Sequence, residues 1–204
     1  DDPDHYGDWE NYNLVYGEWQ TSLDVKPLIK THWHQGSPFN DQAPLINGDT
    51  AYAGCVNIAF AQLIAFHRKP DTFRGLTIDW ELLTNTTKAN QEPNRFKTMV
   101  ASLCRKIGDA TNTTWGTWKH GKGSSAYEKM IPKVLSKEMG YSEPSSVLVF
   151  DKIGNSISRS ISHSCPVVLS GMRDPYDAGW WIFKWEAYES GHTWLVDGLF
   201  EQYR

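Results

Sequence analysis

Cys55 stands between Gly54 and Val56, where a polar, glycine-containing loop gives way to the most helix-like run of the chain. Its thiol therefore falls in the first turn of a helix. The unpaired N–H groups and the positive dipole end found there favour an anion, so a thiol in that position becomes a ready nucleophile. The other reading of the same residue is a small buried side chain without chemistry, since free cysteine is among the most buried residue types. Acyl transfer through sulfur needs two further parts. One is an imidazole that shares the thiol proton and later delivers it to the leaving amine; the other is a set of donors aimed at the developing oxyanion. His192 lies in Ser190-Gly191-His192-Thr193-Trp194-Leu195-Val196-Asp197-Gly198, read as a small-residue turn that feeds a strand and holds the ring on a sheet. A histidine satisfied by a backbone carbonyl is the alternative. Gln35 lies in the turn-rich stretch Trp33-His34-Gln35-Gly36-Ser37-Pro38-Phe39-Asn40. Its amide N–H, together with the backbone N–H of Cys55, would make a two-donor oxyanion hole in which each donor is worth about 3–4 kcal/mol. Taken alone, Gln35 also reads as an ordinary surface glutamine.

The elements that must hold these residues are legible as alternating patterns. Over residues 56–67, Val56, Ala59, Phe60, Leu63, Ile64 and His67 recur at helical spacing, which predicts a helix with one apolar face. Further helices are expected over 95–109, 125–139 and 154–163, and strands over 147–150, 167–171, 180–185 and 193–196. Helices thus dominate the first half and strands the second, with Cys55 in one and His192 in the other; the cleft between them is the expected substrate site. His192 follows Cys55 by 137 positions. That lies within the separation of about 130–150 residues between the cysteine and histidine of papain-type hydrolases.

The motifs resemble, in order, those of the streptopain family of secreted bacterial cysteine peptidases, whose catalytic domains have a papain-like fold. The match runs through Lys26-Pro27-Leu28-Ile29, the Trp33 to Asn40 stretch, Ala53-Gly54-Cys55-Val56, Ala61-Gln62-Leu63-Ile64 and His67-Arg68-Lys69-Pro70. It continues with Gly121-Lys122-Gly123-Ser124-Ser125-Ala126, Lys137-Glu138-Met139-Gly140-Tyr141, Pro166-Val167-Val168-Leu169-Ser170-Gly171 and the segment from Gly191-His192 to Gly198. The resemblance implies an α+β fold in which a helical lobe packs on a mostly antiparallel β lobe. It implies Cys55 as nucleophile, His192 as its partner and Gln35 as oxyanion donor, with no cofactor and no metal. It also implies a zymogen whose pro-segment inhibits it, a secreted, periplasmic or cell-surface location, and protein or peptide substrates gripped by an apolar side chain. One departure stands out. The family's Asn-Trp-Gly-Trp-like segment, whose Asn orients the imidazole and whose Trp shields it, has no counterpart before Glu201-Gln202-Tyr203-Arg204. The expectation is a domain cut short at its C-terminal side. Two other readings stay open: a papain-fold binding or surface protein with impaired catalysis, and an amidase of cell-wall peptides. Asn57 and Asn155 are the available substitutes for the missing Asn, but spacing places neither on His192.

Composition bounds the rest. With 204 residues and 40% hydrophobic side chains, the chain can bury one sizeable core. Residues 1–20 hold six acidic residues and no Lys or Arg, so residues 1–21 read as an acidic arm or pro-segment linker and 22–204 as the peptidase domain. Scattered basic residues and a net charge of −4 speak against nucleic acid, and no apolar stretch is long enough for a membrane span. With Cys55 kept free, Cys104 and Cys165 remain as a possible pair, although Cys104 sits in a helix-like run and reads better as a core residue. His32 and His34 alternate as on a strand without a third metal ligand and read as surface residues. His120 and His163 lack partners in sequence. His67 is expected to be structural, favoured by the helix C-terminus. Trp180, Trp181 and Trp185 suggest a cleft wall or core packing, and Asp197 is a poor third triad member because it alternates away from His192.

Overall fold

The computed structural model describes residues 20–142, 153–180 and 183–203, with the backbone alone at 20, 153, 172–180, 183–190, 202 and 203. Nearly all of the acidic arm and the strand expected over 147–150 lie outside these residues. The element order is β1 (Gln20–Val25), β2 (Leu45–Ile46), β3 (Asp49–Thr50), α1 (Cys55–His67), β4 (Thr72–Phe73), β5 (Leu76–Thr77), α2 (Trp80–Thr84), α3 (Thr86–Gln91) and α4 (Pro93–Ala110). A 3-10 turn (Trp118–His120) follows, then α5 (Met130–Glu138), α6 (Ile153–Ser162), β6 (Val167–Trp180), β7 (Phe183–Val196) and β8 (Leu199–Tyr203). The described strands pair antiparallel and two by two: β1 with β8, β2 with β3, β4 with β5, β6 with β7.

α1 is the centre of the molecule. The expected stripe of Val56, Ala59, Phe60 and Ile64 is buried, but so are Asn57, Ile58, Ala61 and Ala65 on the other sides, while His67 is exposed. The helix is apolar around most of its circumference, and such a helix is surrounded by protein. α4 covers one side. It starts with Pro93 at its first position, where a missing N–H costs nothing, and buries Val100, Leu103, Cys104 and Ile107 at helical spacing. Phe60, Ile64, Leu103 and Ile107 have essentially no exposed surface, each worth about 1.5–3 kcal/mol of burial. The hairpin β6–β7 packs on another side of α1.

Three expectations need correction, and the alternatives left open for Cys104 are decided in favour of a core residue. The helix expected over 125–139 begins only at Met130, because Ser125 is engaged in a bridge with Thr114 and the chain turns through Glu128 and Lys129. Of the strand expected over 180–185, residues 181 and 182 lie outside the described residues, and Trp180 and Phe183 pair with each other as the end of β6 and the start of β7. Ser190-Gly191 is not a turn, since β7 runs straight through it with Ser190 opposite Arg173 and Gly191 opposite Met172; pairing with β6 overrides the local turn preference. Cys104 and Cys165 are both free, the first buried in the α4 core and the second exposed beyond α6. β1 and β8 were not foreseen. They bring Gln20 opposite Tyr203 across almost the whole chain, with a register shift at Ser22.

Candidate active site

Cys55 is the first residue of α1, and the chain reaches it through Gly54 at φ 91°, a left-handed conformation that favours glycine. A Cβ at Gly54 would also crowd Asn57 Nδ2 at 3.3 Å and Ser124 Cβ at 3.5 Å. No side chain caps α1 and no acidic residue sits in its first turn, so its leading N–H groups are left for an anion. The approach to Cys55 is held from inside by Asn57. Fully buried, Asn57 donates to the Ala53 carbonyl at 2.7 Å and to Thr113 Oγ1 at 2.8 Å, and accepts from Thr111 Oγ1 at 2.7 Å.

The Gln35 loop is tied to the same approach. Ala53 N–H donates to the Gln35 carbonyl at 2.9 Å, and Gln62 Oε1, two turns along α1 from Cys55, accepts from Trp33 N–H at 3.1 Å and Thr31 Oγ1 at 3.0 Å. Phe39 is buried beneath this loop, with the Trp33 ring 5.8 Å and the His34 ring 4.8 Å from it between centroids. His192 lies on β7 opposite Gly171, is exposed, and stacks on Trp194 with ring planes 20° apart and centroids 6.1 Å apart. Trp194 in turn crosses Gly171, where a Cβ would come within 3.0 Å of the indole. The next residue, Thr193, is buried and shares a 2.7 Å hydrogen bond with Ser170 on β6.

These pieces meet. A cleft of about 300 Å³ is lined by Gln35, Cys55 and His192 together with Trp33, Ile58, Ala59, Gln62 and Trp194. Its α1 wall is Cys55, Ile58, Ala59 and Gln62, one helical face at i, i+3, i+4 and i+7. The cleft thus has a thiol, an imidazole and a carboxamide on walls from both halves of the chain. A second cavity of about 210 Å³, walled by Arg74, Met130, Lys133 and Glu138, has neither cysteine nor histidine on its lining.

A sequence profile of the Peptidase C10 family matches residues 33–204. The chain belongs to this family. It is a cysteine endopeptidase, and the streptopain resemblance read from its motifs holds. Among solved structures it is similar to the active wild-type interpain A cysteine protease of Prevotella intermedia, at 20% identity and a TM-score of 0.69 over 88% of this chain and 78% of that one. It is also similar to a Prevotella intermedia prointerpain A fragment, at 18% identity and a TM-score of 0.67 over 87% of this chain and 59% of that one. No curated protein sequence gives a significant match. The fold of the peptidase is accordingly papain-like, with the helical and β lobes expected.

The remaining candidates have other occupations. Asp197 Oδ2 accepts Ile29 N–H at 2.9 Å, Asn57 is engaged in the network described above, and Asn155 is exposed on α6. His34 Nδ1 accepts Gly36 N–H at 3.2 Å, His120 Nε2 pairs with Asp49 Oδ2 at 2.6 Å, and His163 Nδ1 lies 2.8 Å from the Arg159 carbonyl. Among the described residues no three His, Cys, Asp or Glu side chains gather as metal ligands would. The wall expected of Trp180, Trp181 and Trp185 falls outside the described side chains; Trp33 and Trp194 line the cleft. Gln62 and Trp194 are the residues that sequence reasoning gave no role. The available signal was positional, Gln62 seven residues after Cys55 and Trp194 two after His192.

Proposed function

We propose that Cys55 is the nucleophile of this peptidase, His192 its proton carrier and Gln35 a donor to the oxyanion. The shared cleft carries the reading. The Cys55 sulfur, its proton held by His192, adds to the scissile carbonyl carbon, and the oxygen that becomes negative is met by the Gln35 side-chain N–H and the Cys55 backbone N–H. Collapse breaks the C–N bond as His192 gives its proton to the departing amine. Water, deprotonated by His192, then adds to the thioester, and the acid leaves as the sulfur recovers its electron pair. Trp194, stacked on the imidazole, limits the orientations open to the ring.

Protein or peptide substrates fit a cleft whose remaining lining is largely apolar, with Trp33, Ile58, Ala59 and Trp194 beside the thiol. We further propose that the enzyme is a secreted bacterial zymogen restrained by its own pro-segment, with residues 1–21 as the linker ahead of a peptidase domain spanning 22–204. The prointerpain A likeness supports a pro-form, and among the described residues no helix is long and apolar enough to cross a membrane.

Replacing Cys55 with Ala or His192 with Ala is expected to lower kcat/KM on casein-derived peptides by about 10,000-fold or more, with the thermal unfolding midpoint little changed. Gln35→Ala is expected to cost about 100- to 1,000-fold in kcat. An epoxide inhibitor of thiol peptidases should modify Cys55 stoichiometrically, and not in the His192→Ala protein. Casein cleavage that persists in Cys55→Ala would refute the assignment.

A further inference from the structure

Residues 26–34 have no regular secondary structure, yet this stretch is tied to both walls of the cleft. At one end, Leu28 N–H donates to the Asp197 carbonyl at 2.9 Å and Ile29 N–H to its Oδ2 at 2.9 Å. In the middle, Gln62 Oε1 accepts from Thr31 Oγ1 and Trp33 N–H. At the far end, the Gln35 carbonyl receives Ala53 N–H. Each anchor belongs to a different part of the machinery. Asp197 directly follows β7, five residues beyond His192; Gln62 is on the Cys55 face of α1, about 10.5 Å further along the axis; Ala53 lies two residues before Cys55.

We infer that Gln62 and Asp197 are positioning residues for the peptidase reaction: acting through the strap of residues 28–35, they set the His192 strand and the Gln35 loop relative to the Cys55 helix. The inference rests on the roles assigned above to Cys55, His192 and Gln35. A strap without a ladder partner must find acceptors for its N–H groups elsewhere, and these two side chains supply them. Gln62 is suited to its place because one carbonyl oxygen with two lone pairs can hold a backbone and a hydroxyl donor together. Its bonds fall between the His192 end of the strap and the Gln35 end. Losing them would let Gln35 and the β7 end shift while α1, fixed in the core, stays in place. A displacement of about 1 Å at reacting groups costs on the order of 100-fold in rate.

The test is kinetic and uses the full chain. Gln62→Leu keeps the volume and deletes the acceptor; Gln62→Glu keeps an acceptor; Asp197→Ala removes the carboxylate at the other anchor. With a fluorogenic peptide, Gln62→Leu is expected to lower kcat by about 10- to 100-fold with KM within about three-fold, measured per mole of folded enzyme. Gln62→Glu should recover most of the loss. Because both anchors act through one strap, the Gln62→Leu/Asp197→Ala double variant should lose less than the product of the two single losses. Unchanged kcat in folded Gln62→Leu, or losses that multiply in the double variant, would overturn the inference. Should Gln62→Leu fail to fold, Thr31→Val decides: a fall in kcat of about three-fold or more supports the strap, and an unchanged kcat overturns it. If wild-type turnover persists in Cys55→Ala, the site assignment and the inference fail together. If turnover needs Cys55 and His192 but not Gln62, only the inference fails.

Discussion

The two walls of the cleft are built on different principles. Cys55 opens the most enclosed of the described helices, a segment buried on nearly every side and braced by the Asn57 network. His192 rides on one strand of a two-stranded ribbon, and a ribbon of that kind is marginal by itself and borrows its rigidity from what it packs against. Here that support is the α1 packing, the Ser170–Thr193 hydrogen bond, the close fit of Trp194 over Gly171 and the Asp197 clamp on the strap. Cys55 is therefore tied to global stability, whereas His192 is tied to a short list of local contacts. Damage to the packing behind Cys55, as distinct from loss of its thiol, should show as unfolding, and damage on the second side as slow turnover of a folded protein.

The sharpest contrast is between thiols. Cys104, on the α4 face that packs on α1, has essentially no exposed surface, and burial pushes its thiol up to about 12. At pH 8 only about one molecule in 10,000 would carry that thiolate, before access is considered. In the native protein, iodoacetamide followed by peptide mass spectrometry is expected to modify exposed Cys165 and leave Cys104 untouched until denaturant is added. Labelling of Cys104 at a rate near that of Cys165 would mean that the Cys55 side of the cleft opens more readily than its packing implies.

Next in size is the Asn57 network. Asn57→Leu keeps a similar volume but strands the buried Ala53 carbonyl, while the Thr111 and Thr113 hydroxyls keep each other and the Ile107 carbonyl, at an expected cost of about 2 kcal/mol in chemical denaturation. A loss under about 1 kcal/mol would show that the first turn of α1 is held by apolar packing alone. On the other wall, Gly171→Ala puts a methyl group 3.0 Å from the Trp194 indole, so the indole and the imidazole stacked on it must move. The expected outcome is a roughly ten-fold fall in kcat with stability changed by less than about 1 kcal/mol. If Gly171→Ala instead unfolds the protein with normal kcat in the folded fraction, the division between the two walls is wrong.

The same division explains what was legible in the sequence. α1 and α4 could be read because their apolar residues recur locally and at the right period, and Cys55 came with them as the residue before the first buried position. The setting of His192 is less legible: Ser190-Gly191 carries turn chemistry, and only the pairing of Gly191 with Met172 reveals continuous strand. β1 and β8 are short, polar-laced runs whose partner lies at the opposite end of the chain, so no local window contains their reason for being strands. Gln62 was invisible for a related reason. Its partner Trp33 is 29 positions away, and a glutamine on a helix has no period to betray it. What the chain encodes locally is the Cys side; what it encodes through distant pairings is the placement of His192 and Gln35.

The smallest expected effect lies at the other end of α1, where two physical effects pull on His67 in opposite directions. As the last residue of the helix it faces the negative end of the dipole, which favours the imidazolium by about 0.3–1 kcal/mol. Against this, burial beside Tyr141, whose ring centroid is 5.8 Å away, disfavours the charged ring, and Lys69 adds repulsion, so that the His67 pKa is lowered from 6.5. Between that lowered value and 6.5 the unfolded chain binds more protons than the folded one. Stability contributed here is thus present above the window and lost as pH falls through it. Much of the residue is exposed and screened by solvent, which holds the expected effect to at most about 0.5 kcal/mol. Denaturant titrations of wild type and His67→Gln at pH 7.5 and 5.5 measure it: wild type should lose slightly more stability on acidification than the variant. If wild type instead gains relative to His67→Gln at the lower pH, the dipole outweighs burial, and the C-terminal end of α1 is more open to water than the end that carries Cys55.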